Sequence, residues 1–151
     1  MTMKKRILLA VCTLGVLTSL AGCGGGEKTY TDGVYEGKSS VFENEDGSED
    51  GNGYGVVTIT IQDGKISDCV YQTYETDGTL KDEEYGKARG EIANRDFYNK
   101  AQKAVAACPE YANMLVQNGQ LDGIDAITGA TINYQEFIEA VEDALSKAEA
   151  K

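Results

Sequence analysis

The residues best placed to do chemistry are Asp125-Ala126-Ile127-Thr128-Gly129-Ala130-Thr131, a short polar turn with two small residues between two threonine hydroxyls. Ile132 and Asn133 follow, then a helical pattern in which Phe137, Val141, Ala144, Leu145 and Ala148 recur on one face. Asn133 with Glu136 three residues later has the spacing of a capping box, so the helix is expected to begin there. Thr131 would then lie just ahead of a helix N-terminus, where unpaired backbone N–H groups and the helix dipole attract a phosphate. Gly129 and Ala130 leave room for a bulky group, or another protein, to approach the backbone. On residue types alone the stretch is either a phosphate-receiving turn or an ordinary Thr/Gly helix cap.

Other chemistry is thinly represented. The chain has no histidine, so imidazole acid–base catalysis is unavailable and a zinc site would need cysteine and carboxylate. There is no CxxC pair and no nucleotide-binding glycine fingerprint, and hence no second catalytic constellation. The run Glu43–Gly53 is acidic and glycine-rich. Aligned on Gly51 as an EF-hand glycine, it puts Asp46, Ser48 and Asp50 at ligand positions but Val57 where the bidentate acid belongs. The run therefore reads as a solvated insertion, with no metal site expected.

The turn and two further stretches resemble the FMN-binding domain family, in which flavin is joined covalently through its phosphate to a threonine hydroxyl. The family pattern Asp-x-x-Ser/Thr-Gly-Ala-Ser/Thr is met by Asp125, Thr128, Gly129, Ala130 and Thr131. A Tyr-x-Asp-Gly-x-Tyr-x-Gly opening at Tyr30–Gly37 and an Ile-x-Asp-Gly-Lys-Ile hairpin at Ile61–Ile66 are similar to the same family. It includes the FMN subunits of sodium-pumping NADH:quinone reductases and Rnf-type complexes, and surface lipoproteins of extracellular electron transfer. The resemblance implies Thr131 as the phosphoryl acceptor and FMN as a covalent cofactor, attached by a separate FAD-dependent flavin transferase using a divalent metal. It supports the presence of Asp125, which would orient the hydroxyl or meet the transferase's metal. Thr128 and the amides of Gly129–Thr131 would hold the phosphate. Tyr54, Tyr74, Tyr85 and Tyr134 are candidates to stack on the flavin ring.

These residues must be positioned by a small domain. Val57, Ile59 and Ile61 alternate with Val56, Thr58 and Thr60, and Asp63-Gly64 is a two-residue hairpin turn. The return strand is expected to run from Lys65 to Tyr74, with Ile66 and Val70 on one face and Cys69 and Tyr71 on the other. Val34 and Tyr35 form a first edge strand, and Lys81–Gly90 is irregular. Phe97, Ala101, Ala104, Val105 and Cys108 predict a helix ending near Pro109. A further short helix from Pro109 carries Tyr111, Met114 and Leu115 and closes at Asn118-Gly119. Leu121–Ile127 returns as a short strand. The fold class is α+β, an antiparallel sheet covered by C-terminal helices.

The first residues read as a targeting segment. Lys4, Lys5 and Arg6 precede an uncharged stretch from Ile7 to Ala21, too short to span a membrane comfortably. Leu20-Ala21-Gly22-Cys23 resembles a bacterial lipobox, which implies cleavage before Cys23 and diacylglycerol on its sulfur. The expected organisation is a signal over 1–22, a lipidated Cys23 and flexible tether over 23–29, and an FMN-binding domain over 30–151. The protein would be lipid-anchored at the extracytoplasmic face of the cell membrane. Three of the 14 basic residues lie in the signal, leaving 11 against 25 acids and a formal charge near −14, which argues against nucleic acid as a partner. Cys69 and Cys108 remain, as a disulfide or as free buried thiols, with the free form favoured.

Two functions follow from these features. One is a surface electron carrier whose tethered FMN passes electrons from membrane dehydrogenases to an external acceptor. The other is an unmodified lipoprotein acting as a non-redox binding module. A reductase with its own substrate pocket is a third, and it lacks a catalytic constellation, so the chain looks like a carrier more than a complete enzyme.

Overall fold

The computed structural model describes residues 29–149. The expected signal, Cys23 and most of the expected tether lie outside the described residues. Strands β1 (Gly33–Lys38), β2 (Tyr54–Gln62) and β3 (Lys65–Tyr74) form an antiparallel sheet in the order β1-β2-β3. Helices α1 (Arg95–Asn118) and α2 (Thr131–Ala148) follow, α1 against β3 and α2 across β1 and β2. The α+β architecture is the expected one. Among the described residues no helix is long and apolar enough to cross a membrane.

The β2–β3 hairpin follows its sequence. Val57, Ile59 and Ile61 point into the core, and Asp63 and Gly64 both take positive φ (53° and 71°), as a tight two-residue turn requires. The inward face of β3 differs from strict alternation. Thr60 pairs with Asp68 and Ile61 with Ile66, so Ser67 is an extra residue, and its hydroxyl donates to the Thr60 carbonyl at 3.1 Å. This bulge flips the parity after it. Ile66, Cys69, Tyr71 and Thr73 are all buried, while Val70, expected beside Ile66, is 50% exposed on the outer face. Both cysteines are free and buried; burial pushes the Cys69 thiol up to about 12, with the Asp68 charge adding to it.

Helix α1 runs without a break through Pro109. The second helix expected there is the same helix. Proline in a helix interior removes one hydrogen bond, a cost of about 3 kcal/mol. Burial of Ala107, Cys108, Tyr111, Ala112 and Leu115 on both sides of Pro109 offsets that cost. Gly119 closes the helix with φ 71°, at the end expected for the shorter helix, and at the other end the Asn94 side chain accepts from the Phe97 N–H at 3.1 Å. Leu121–Ile127 is irregular chain, not a strand, because its carbonyls and amides are taken up by tyrosine side chains and local turns.

Helix α2 lies so close to the sheet that no side chain fits beneath it at Gly37. A Cβ there would fall on the Ala140 carbonyl and the Ala144 backbone. The other end of α2 meets the start of the described chain, where Thr31 N–H donates to the Ala148 carbonyl at 2.8 Å. Gly37→Ala is expected to destabilise the fold by at least about 2 kcal/mol through overpacking, measured by urea unfolding. A neutral result would mean that α2 can slide along the sheet.

Candidate functional site

The turn Ile127–Ala130 closes with Ala130 N–H donating to the Ile127 carbonyl at 2.9 Å. Gly129 takes φ 85°, the left-handed position that a type II turn reserves for glycine. Helix α2 then begins at Thr131, with Ala130 as the cap residue. The capping box expected at Asn133 and Glu136 does not form, because both side chains are turned into the core. Asn133 donates through Nδ2 to the Ala104 carbonyl (3.2 Å) and to Cys108 Sγ (3.4 Å). Thr131 is therefore the first residue of the helix, not the one ahead of it.

Among the described residues no side chain caps this helix, and its first turn holds no acid. The first bonded amide is that of Tyr134, to the Ala130 carbonyl. The N–H groups of Thr131, Ile132 and Asn133 have no partner among the described residues, which is the arrangement that favours an anion. The Lys103 side chain lies over Gly129, with Cδ, Cε and Nζ within 3.3 Å of where a Cβ would stand.

A single buried side chain positions the turn. Tyr111 of α1 is 0% exposed. Its hydroxyl accepts the Ile127 N–H at 2.8 Å and donates to the Ala130 carbonyl at 3.1 Å. Tyr134 adds a second stitch, donating to the Ile124 carbonyl at 3.0 Å. The Tyr111 ring stacks on Phe137 (centroids 5.5 Å apart) and leans on Tyr134 and Tyr71.

Beside Thr131 opens a mostly apolar cleft of about 210 Å³. One side is Phe97, Lys100 and Ala104 of α1; the other is Gly51, on the returning limb of the acidic loop, with Tyr85. Tyr85 and Phe97 meet edge to face, their centroids 6.4 Å apart. Gly51 is held tightly: its N–H donates to the Tyr85 hydroxyl (3.2 Å) and its carbonyl accepts from Lys81 Nζ (3.0 Å). A Cβ on Gly51 would meet Ile132 Cδ1 at 2.8 Å.

Of the residues singled out in sequence, Gly129 and Thr131 reach the cleft and Asp125 and Thr128 do not line it. Asp125, Thr128, Gly129 and Thr131 are exposed, whereas Ala130 is buried and its amide closes the turn, so that amide is not free for a phosphate. Among the four tyrosines named, Tyr85 alone lines the cleft. Tyr54 and Tyr74 stack on each other at 5.5 Å, with Lys38 Nζ 3.6 Å over the Tyr54 ring, and Tyr134 is occupied with the loop. Among the described residues no cluster of acids and thiols could hold a metal ion.

Sequence reading missed a buried charge next to the cleft. Glu136 is 3% exposed, and neither carboxylate oxygen has a hydrogen-bond partner. Burial pushes its carboxyl up to about 7, against the pull of Lys81 and with Glu139 adding to the rise. Lys81, 7% exposed, is lowered by the same desolvation, with Glu136 and Glu75 opposing. The only signal in the sequence was a glutamate at i−1 to Phe137, on the inward arc of an otherwise apolar face.

The sequence profile of the FMN-binding domain family matches residues 51–146, from the returning limb of the acidic loop through the Thr131 turn. A Clostridium perfringens protein of known crystal structure superposes with a TM-score of 0.57 at 21% identity, over 79% of this chain and 88% of that one. Its likeness is one of fold. A Clostridium thermocellum protein solved by NMR in solution aligns with a TM-score of 0.38 at 27% identity, over 79% of this chain and 92% of that one. No curated protein matches.

Tyr111→Phe removes one oxygen and leaves the Ile127 N–H and Ala130 carbonyl without their partner. A loss of about 1–3 kcal/mol is expected in chemical denaturation; an unchanged midpoint would mean that the turn does not depend on that hydroxyl. Glu136 gives a pH signature. Its folded pKa lies above the ordinary 4.5, so its contribution is most favourable below about pH 4.5, declines as the pH rises to about 7, and is least favourable above that. Glu136→Gln should therefore stabilise the protein by on the order of 3 kcal/mol at pH 8 and by little at pH 5. A gain independent of pH would show that Glu136 is not a buried charge in solution.

Proposed function

The chain belongs to the FMN-binding domain family, and from that membership we propose that it carries FMN bonded through its phosphate to the Thr131 hydroxyl. The observation that carries this reading is an exposed threonine opening an uncapped helix beside an apolar cleft. The residues suit the group. The free amides of Thr131, Ile132 and Asn133 and the lysines 100 and 103 complement a phosphate, and Tyr85, Phe97 and Ala104 offer an apolar seat to a flat ring. When bound, FMN supplies the electron transfer; the protein supplies position and polarity. Thr131 needs only a free hydroxyl and an accessible backbone, and a separate FAD-dependent flavin transferase with a divalent metal makes the bond. Asp125, exposed at the mouth of the turn, is available to that enzyme and not to the cleft.

In this reading the protein is an electron carrier, with lipid on Cys23 holding it at the extracytoplasmic face of the membrane. Its tethered flavin takes electrons from membrane dehydrogenases and passes them to an external acceptor. The chain enters the domain beside the C-terminal end of α2, while Thr131 opens the N-terminal end, 18 residues and about 27 Å away. An anchor at Cys23 would thus leave the flavin facing away from the lipid, towards soluble acceptors.

The test is the intact mass of the protein purified from cells that make the transferase. A stable addition of one FMN less water, absent from Thr131→Ala, is expected. Thr131 is exposed and its side chain makes no contact the fold depends on, so the variant should keep the wild-type circular dichroism. Unmodified wild-type protein from such cells would overturn the assignment.

A further inference from the structure

The acidic loop that looks like a solvated insertion in sequence is fastened on the cleft side, and the fastener is a buried charge. Its ends are bridged by Phe42 and Gly53, which exchange both backbone hydrogen bonds. Inside it, the Asn44 side chain bonds Asn52 Oδ1 and the Asp50 carbonyl, so the loop moves as a unit. Its returning limb rests on the helix at Gly51, beside Ile132 and next to Thr131. The hold on Gly51 comes from one short segment: Lys81 Nζ donates to the Gly51 carbonyl, and the Tyr85 hydroxyl accepts from the Gly51 amide. Gln102 Nε2 anchors the same segment to α1, donating to the Asp82 and Tyr85 carbonyls at 2.9 Å each. A lysine this deeply buried needs a counter-charge, and the unpartnered carboxylate of Glu136 is the buried one nearby.

We propose that Lys81 is a positioning residue of the flavin site, holding Gly51 in place as one wall of the cleft, and that the charge of Glu136 keeps Lys81 inside. The groups acting on this pair are Glu75 at the end of β3, Cys108 on α1 and Glu139 on α2; Asp50 and Glu75 act on Tyr85. Glu75 is partly exposed and Cys108 is a neutral buried thiol held high by desolvation, so Glu136 is the group whose protonation around neutral pH changes the attraction on Lys81. When Glu136 takes up a proton, Lys81 loses its buried counter-charge, its ammonium is better solvated outside, and Gly51 is released. The loop is then expected to be held at pH 8 and loosened at pH 6.

The role in positioning flavin rests on the reading of Thr131 above; the latch itself does not, and the two are separable by experiment. Amide hydrogen exchange on the full chain without cofactor, corrected for intrinsic rates, reads the latch directly. Wild type should show protection at residues 51–53 that is lost by about tenfold from pH 8 to pH 6. Lys81→Met should exchange about tenfold faster there at pH 8, with β2 and β3 amides unchanged. Glu136→Gln should loosen the loop at both pH values while raising global stability at pH 8, opposite signs that a general loss of structure cannot produce. Tyr85→Phe, which removes one hydroxyl, is expected to loosen Gly51 if Lys81→Met fails to fold. Equal protection in wild type and these variants, or protection in wild type that ignores pH, overturns the latch. In flavinylated protein, Lys81→Met should also change the visible circular dichroism of the flavin. A loosened loop with an unchanged flavin spectrum overturns the positioning role, while the mass adduct reports separately on attachment.

Discussion

The structure turns on the buried hydroxyl of Tyr111. It joins α1 to both ends of the turn that precedes α2, accepting from Ile127 and donating to Ala130. Apart from the aromatic cluster of Tyr71, Tyr111, Tyr134 and Phe137, the two helices touch little, since α1 packs on β3 and α2 on β1 and β2. The loop between them has few backbone bonds of its own and borrows rigidity from tyrosine oxygens. A threonine on such a loop would wander; here it is set at the first position of a helix whose other end is tied to β1.

Close approach of α2 to the sheet explains the next feature. Gly37 lets the helix backbone sit directly on β1, and Gly55 does the same beside Glu136, whose Cβ is 3.0 Å from where a glycine Cβ would stand. At that depth the carboxylate of Glu136 cannot reach solvent. Lys81, brought in from the segment after β3, is the opposite charge acting on it through space, while its ammonium bonds the carbonyl of Gly51. A buried pair of this kind adds little net stability and much positional specificity. Its effect falls on the loop that walls the cleft.

Much of this was legible in the sequence because it rests on local rules. The Asp63-Gly64 turn, the alternation of β2, the Gly119 cap and the inward face of α2 are each set by residues within a few positions of one another. What misled was competition from distant groups. A bulge at Ser67 turned Cys69 inward with Ile66, and no alternation rule signals an extra residue. Tertiary burial carried α1 through Pro109, which local propensity would have broken. Asn133 and Glu136 have capping spacing, yet the core claimed both, Asn133 for Cys108 and the Ala104 carbonyl and Glu136 for the space beneath Gly55. Cleft residues Tyr85, Phe97 and Lys100 come from separate parts of the chain that only the fold assembles.

The failed capping box and the candidate site are one fact seen twice. A helix N-terminus is normally closed by an Asp, Ser or Asn oxygen, and omitting it costs roughly 1 kcal/mol. Ala130 holds that position, buried and with its carbonyl bonded to Tyr111, and a methyl side chain supplies no capping oxygen. The first three amides of α2 are left open beside Lys103 and an apolar cleft. A second cost, the buried carboxylate of Glu136 with no hydrogen bond to either oxygen, stands one turn further along the same helix. Two departures from the stable pattern at one helix end are what a fold shows where stability is exchanged for binding. An anion bonded to Thr131 would cap a helix that no side chain among the described residues caps.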